Sequence, residues 1–293
     1  MSSSVLENPP PASEAFERAS LASTRRYRLR SEAIGETYQI DVALPATQAP
    51  AGRPMPVVYL TDANTIFGIA AQALRFLQQG DGAAPALLVG IGYCLDGVER
   101  PRNAYGALRT RDLTPSLDEG FLARILEAQE GGRFPVEVRP AGGADDFLAF
   151  LVDQVRPFIA ERYDVDAHDQ TLVGSSLGGL FSLHALLTRP GAFRRHGALS
   201  PSLWWRDGEL FALEAEVART AADLPVDLFM SVGGKETDPR WDMVQGMKRF
   251  AATLEGRRYP GLRLTTHVFE GETHTSVIPA ALSRGLRTLL GGA

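Results

Sequence analysis

The run Gly174-Ser175-Ser176-Leu177-Gly178 constrains this chain more than any other. Ahead of it, Thr171-Leu172-Val173 reads as a strand, and after it Leu177–Leu187 reads as a helix. G-x-S-x-G alone is a weak signal, but between a strand and a helix it marks a sharp turn. The glycines let the backbone reverse tightly and leave the serine exposed at a helix N-terminus. The positive end of that helix favours negative charge developing beside Ser176. Ser176 is therefore a candidate nucleophile.

The surrounding pattern supplies the fold for such a turn. Tyr27 and Leu29, then Tyr38, Ile40, Val42 and Leu44, alternate with polar neighbours, the two-residue period of a strand. These two segments predict an antiparallel pair. Val57–Leu60 is continuously apolar, as expected of a strand buried on both faces. Helical spacing follows at Ile66–Leu77 and Asp145–Tyr163, with a strand at Ala86–Ile91 between them. Strands are predicted at Gly197–Leu199, Val226–Val232 and Leu262–Phe269, and helices at Trp241–Leu254 and Ser276–Leu290. Strands that alternate with helices form a parallel sheet with right-handed crossovers. The expectation is one α/β domain over residues 21–293. Its sheet is mostly parallel, of about eight strands, with helices on both faces. Residues 1–20 read as a flexible tail because Pro9-Pro10-Pro11 and small polar residues cannot build a core. The stretch from about 95 to 143 is long, polar and rich in Gly, Pro and Arg, apart from a helical piece near Phe121–Leu126. It reads as an inserted lid.

Composition removes several function classes. With 30 basic and 35 acidic residues, the net charge is −5, which argues against nucleic acid as a partner. The single cysteine, Cys94, excludes an intrachain disulfide framework and any multi-cysteine metal site. A serine-hydrolase mechanism of the kind read below implies neither metal nor cofactor. No apolar run approaches the roughly 18 residues of a membrane span. The first residues lack the basic and apolar segments of a secretory signal, so a cytoplasmic location is expected.

A serine needs a base to attack at neutral pH. Of five histidines, His168 sits in a polar turn, His184 in a helix, His196 near a strand start and His267 within a strand. His274 lies in the loop between the last strand and the last helix, where this chain order places the base. The acid is expected after the strand Val226–Val232, where Glu236 and Asp238 are the candidates and Glu236 is favoured. A carboxylate there would hold the imidazole tautomer. The oxyanion donors are expected to be the Leu177 N–H and one from the loop after Leu60, at Ala63 or Asn64. Serine, acid and histidine in that order match the α/β-hydrolase arrangement.

Several segments resemble the esterase-D-like α/β hydrolases, and within them the siderophore esterases of the enterobactin and bacillibactin type. They are Val58–Asp62, Gly90–Tyr93, Arg109-Thr110-Arg111-Asp112-Leu113-Thr114-Pro115, Gly174–Leu180, Ser200-Pro201-Ser202-Leu203-Trp204-Trp205 and Glu272–Ser276. The resemblance implies hydrolysis of ester bonds in a trilactone or related catecholate siderophore, releasing iron. It makes Arg109 a candidate for pairing with the anionic substrate and Trp204 or Trp205 a candidate for stacking on catechol rings. The chain departs from the family pattern at Ser175, often His, and at Ala63, often Gly; an alanine held at positive φ would be strained. Two other readings fit the same residues. One is a generic carboxylesterase of acyl, feruloyl or acetyl-sugar esters; the other is a non-catalytic binding protein on a hydrolase scaffold.

Overall fold

The computed structural model describes residues 20–47, 52–80, 82–95, 104–121, 123 and 141–291. Eight strands form one sheet, in the order β1-β2-β4-β3-β5-β6-β7-β8. β1 (Thr24–Ser31) and β2 (Glu36–Ala43) make an antiparallel hairpin, and β2 also runs antiparallel to β4 (Leu87–Tyr93). From β4 onward every pairing is parallel: β3 (Met55–Leu60), β5 (Val165–Ser175), β6 (Arg195–Leu199), β7 (Asp227–Gly233) and β8 (Arg263–Phe269). This is the α/β-hydrolase sheet that the sequence predicts.

The two faces follow from strand geometry. Successive side chains on a strand point to opposite sides. Val57 and Tyr59 therefore join one core cluster, and Val58 and Leu60 the other. Helices α1 (Ala63–Gln79) and α8 (Ile278–Leu290) cover the second face through Ile66, Phe67, Ala70, Leu282 and Leu286. The first face is covered by α3 (Ala144–Phe150), α5 (Leu177–Thr188), α6 (Glu209–Val217) and α7 (Met243–Arg257). A π turn at Leu151–Val155 joins α3 to α4 (Arg156–Ala160), within the single helix expected from spacing. α5 is buried all round from Leu177 to Leu187 and is accordingly apolar on most of its surface, Ser182 and His184 excepted.

Three expectations change. β5 begins at Val165, where it pairs with Met55 of β3, well before Thr171; its polar, partly exposed first half carries no apolar signal. His168 consequently sits on that strand and not in a turn. Residues 104–113, expected inside a lid, form helix α2 (Ala104–Leu113). Its arginines hid it from apolar periodicity, yet Ala104, Ala107, Leu108 and Leu113 are buried. The rest of the expected lid lies for the most part outside the described residues, as do residues 1–19 of the expected tail. Among the described residues no helix is long and apolar enough to cross a membrane.

His196 on β6 is fully buried beneath the edge of Phe193, and its Nδ1 lies 3.0 Å from the Ser182 carbonyl oxygen. Burial pushes its pKa down to about 4. Between pH 6.5 and 4 the unfolded chain therefore takes up a proton that the folded chain refuses, and stability falls as pH falls. The loss should reach about 2–3 kcal/mol near pH 4.5. Urea unfolding at pH 7 and 4.5 should show a smaller pH difference in His196→Gln than in the wild type. An unchanged difference would refute this account of the site.

Candidate active site

The chain leaves β5 through a strained turn. Ser176 adopts φ 60° and ψ −118°, a region that non-glycine residues occupy only when their surroundings force them. The forcing contacts are on both sides. The Ser176 N–H donates to the Leu199 carbonyl (2.9 Å), while its own carbonyl accepts from Leu180 N–H (3.0 Å) and Ser202 N–H (3.2 Å). A β-carbon on Gly174 would collide with the Gly178 carbonyl, and one on Gly178 with Thr61 Oγ1. The two motif glycines are thus demanded by space, and Ser176 stays part-exposed at the start of α5.

His274 stands in the loop between β8 and α8, and its Nδ1 lies 2.6 Å from Glu236 Oε2. The other oxygen of Glu236 accepts from Ser200 Oγ (2.7 Å) and from the Gly233 N–H (2.6 Å). Burial alone would raise this carboxyl's pKa. The hydrogen bonds from His274, Ser200 and Gly233 outweigh it and hold Glu236 below the usual carboxylate range. Glu236 is therefore a buried, charged acceptor aimed at one nitrogen of His274. Asp238, the other acid considered, does not reach His274. It lies nearer the surface in a two-point ion pair with Arg240 (3.1 and 2.8 Å), which lowers its pKa to about 2. The partner of His274 is thus Glu236.

The loops carrying these groups are laced together. Gly234 N–H donates to the Phe269 carbonyl (2.8 Å) and Lys235 N–H to the Glu272 carbonyl (2.9 Å). Ser176, Glu236 and His274 line one cavity of about 450 Å³. Its apolar wall is Phe121, Trp204, Trp241 and Met243. Trp204 is half-buried, with its ring 5.0 Å from Trp241 and 6.0 Å from Phe121. Its indole nitrogen is buried with no acceptor among the described residues. Trp205 is different: it is a core residue whose indole N–H donates to the Ser116 carbonyl. Of the two tryptophans, only Trp204 faces this cavity.

The remaining expected site residues lie around it. Leu177 opens α5, where the first backbone N–H groups of a helix lack helical acceptors. Asn64, in the first turn of α1, spends its side chain on β4: Nδ2 donates to the Tyr93 carbonyl (2.9 Å) and Oδ1 accepts from Tyr93 N–H (2.7 Å). The left-handed residue in that loop is Asp62, at φ 57°, and Ala63 is helical; the alanine therefore carries no strain. Arg109, on α2, does not line the cavity. Its guanidinium grips both oxygens of Asp62 at 2.8 Å, and Tyr105 Oη donates to the same carboxylate at 2.8 Å. The neighbouring Arg111 takes Asp112. No spacing rule could have found the Asp62 pair, because its partners are on different elements. The other histidines are occupied elsewhere: His184 Nε2 lies 2.7 Å from Asp145, and His267 packs on Phe269.

Two further serines support the site. Ser200 holds Glu236, and Ser202 Oγ lies 3.4 Å from Ser176 Oγ. Both are buried in the turn after β6. They lie in the Ser200-Pro201-Ser202 segment, where nothing in the residue types distinguishes them from serines that merely pack.

Residues 119–283 match the family described as "Putative esterase". The ferri-bacillibactin esterase BesA of Bacillus subtilis (strain 168) is 33% identical over 261 residues, covering 87% of this chain and 85% of that protein. The siderophore triacetylfusarinine C esterase of Aspergillus fumigatus is 33% identical over 284 residues, covering 86% of this chain and 88% of that protein. The solved structure of the siderophore hydrolase EstB from Aspergillus nidulans superposes with a TM-score of 0.78 at 28% identity, covering 94% of this chain and 98% of that one. On sequence and fold together, this chain belongs to the esterase family of carboxylic ester hydrolases.

Proposed function

We propose that the protein hydrolyses ester bonds of an iron-chelating siderophore of the catecholate trilactone type, releasing its iron. The observation that carries this reading is the Glu236–His274 bond, set in the cavity that also receives Ser176. In this reading Ser176 Oγ attacks the ester carbonyl while His274 takes its proton. Glu236 holds the Nδ1 proton of His274 and stabilises the imidazolium. The oxyanion is met by the Leu177 N–H and by a backbone N–H from the start of α1, at Asn64. Water then attacks the acyl-enzyme, with His274 as base.

Support for the substrate class comes from two sources. The relatives named above act on siderophore esters. The wall of Phe121, Trp204 and Trp241 beside Ser176 offers aromatic faces to catechol rings. Arg109 acts indirectly in this reading: by gripping Asp62 it fixes the turn from which α1 starts.

Two experiments test the assignment. Chromatographic assay of iron-loaded and iron-free triscatecholate trilactone should show cleavage by the wild type. Ser176→Ala should lose about 10⁴-fold or more in kcat. If simple p-nitrophenyl esters are cleaved and neither trilactone is, the substrate reading is wrong. If Ser176→Ala retains turnover, the mechanism is wrong. The second experiment compares acids. Glu236→Gln should lower kcat by about 10²–10⁴-fold, because the imidazolium loses its charged partner. Asp238→Asn should stay within about 2-fold, as expected for an exposed ion pair. Equal effects of the two substitutions would contradict the role given to Glu236.

A further inference from the structure

Ser202 has an unusual position for a buried serine. Its side chain is fully buried, and its hydroxyl oxygen lies 3.4 Å from Ser176 Oγ. Its backbone is fixed on both sides: the N–H donates to the Ser176 carbonyl (3.2 Å) and the carbonyl accepts from Trp205 N–H (3.1 Å). Among the described residues Ser176 Oγ is the sole partner of the Ser202 hydroxyl.

Hydrogen-bond accounting then assigns the direction. A hydroxyl has one proton to give and two lone pairs to accept with. A buried O–H with no acceptor is costly, so the Ser202 proton goes to Ser176 Oγ. The Ser176 proton then remains free for transfer to His274, the base in the mechanism proposed above. The contact is long beside a relaxed O–H···O bond of about 2.8 Å, so it is weak at rest and strengthens when charge builds on Oγ.

Charge builds there when the acyl-enzyme breaks down. Water adds to the acyl carbon and gives a proton to His274. The tetrahedral intermediate then collapses: the C–Oγ bond breaks, its electron pair passes to Ser176 Oγ, and that oxygen takes a proton from the His274 imidazolium. Ser202 keeps its own proton throughout. We propose that the Ser202 hydroxyl is a hydrogen-bond donor to Ser176 Oγ as leaving group, and so accelerates deacylation selectively. The proposal rests on Ser176 being the nucleophile.

Stopped-flow hydrolysis of a p-nitrophenyl ester by wild type, Ser202→Ala, Ser202→Thr, Ser202→Cys and Ser176→Ala tests it, with each variant's Tm recorded. In Ser202→Ala, kcat should fall by about 10- to 100-fold, less than the full loss of an oxyanion donor. KM should fall in parallel, leaving kcat/KM within about 3-fold, because acyl-enzyme accumulates. A burst of about one p-nitrophenol per chain should appear. Ser202→Thr restores the donor and should recover most of kcat; if its extra methyl lowers Tm, Ser202→Cys, a weaker donor of similar size, should fall between serine and alanine. Wild-type kcat in Ser202→Ala, or a fall in kcat/KM with no burst, would overturn the proposal. Turnover surviving in Ser176→Ala would instead remove the nucleophile reading beneath it.

Discussion

The interaction on which the site depends is the buried carboxylate of Glu236. Its three donors come from three neighbouring strand ends: Ser200 after β6, Gly233 at the end of β7, and His274 after β8. A carboxylate taken out of water is expensive unless its oxygens are filled, and here both are. The same edge of the sheet extends its hydrogen bonding past the strands, through Ser176 N–H to Leu199 and Ser200 N–H to Ser231 (2.7 Å). Loops that would otherwise move independently are thus held in one arrangement. That rigidity suits the proposed mechanism, in which Ser176, Glu236 and His274 act together from segments far apart in the chain.

That rigidity is matched by backbone strain at the same edge. The first residues beyond β5 and β6, Ser176 and Ser200, have φ of 60° and 42°, and Asp62, two residues past β3, has φ of 57°. Each lets the chain turn abruptly off a parallel strand, and none is glycine. Such conformations persist when surrounding contacts over-determine them. For Asp62 the contacts are Arg109 and Tyr105; for Ser176 they are the packed glycines and Leu199. Helix α2 thus has a function that its polar sequence concealed: it carries the arginine that grips the turn before α1.

The sheet was legible because its signals are local. Val57–Leu60 is apolar on both faces, and the glycines around Ser176 sit at the junction of a strand and a helix. What could not be read depends on contacts between distant residues. Glu236 and Asp238 are two positions apart and chemically alike; only the long-range bond to His274 and the local bond to Arg240 separate their roles. Arg109 carries a motif but not its partner, since Asp62 is 47 positions away. Trp204 and Trp205 are adjacent, yet one faces a cavity and the other the core. Ser200 and Ser202 gain their places only when β6 lies beside β5 and β7.

In the proposed mechanism this edge of the sheet makes one serine, Ser176, reactive. Intact-mass analysis after exposure to a fluorophosphonate, followed by peptide mapping, tests it most directly. One phosphonyl group per chain, carried by Ser176, is expected, with no adduct in Ser176→Ala. An unmodified chain, or an adduct on another serine such as Ser202, would contradict it.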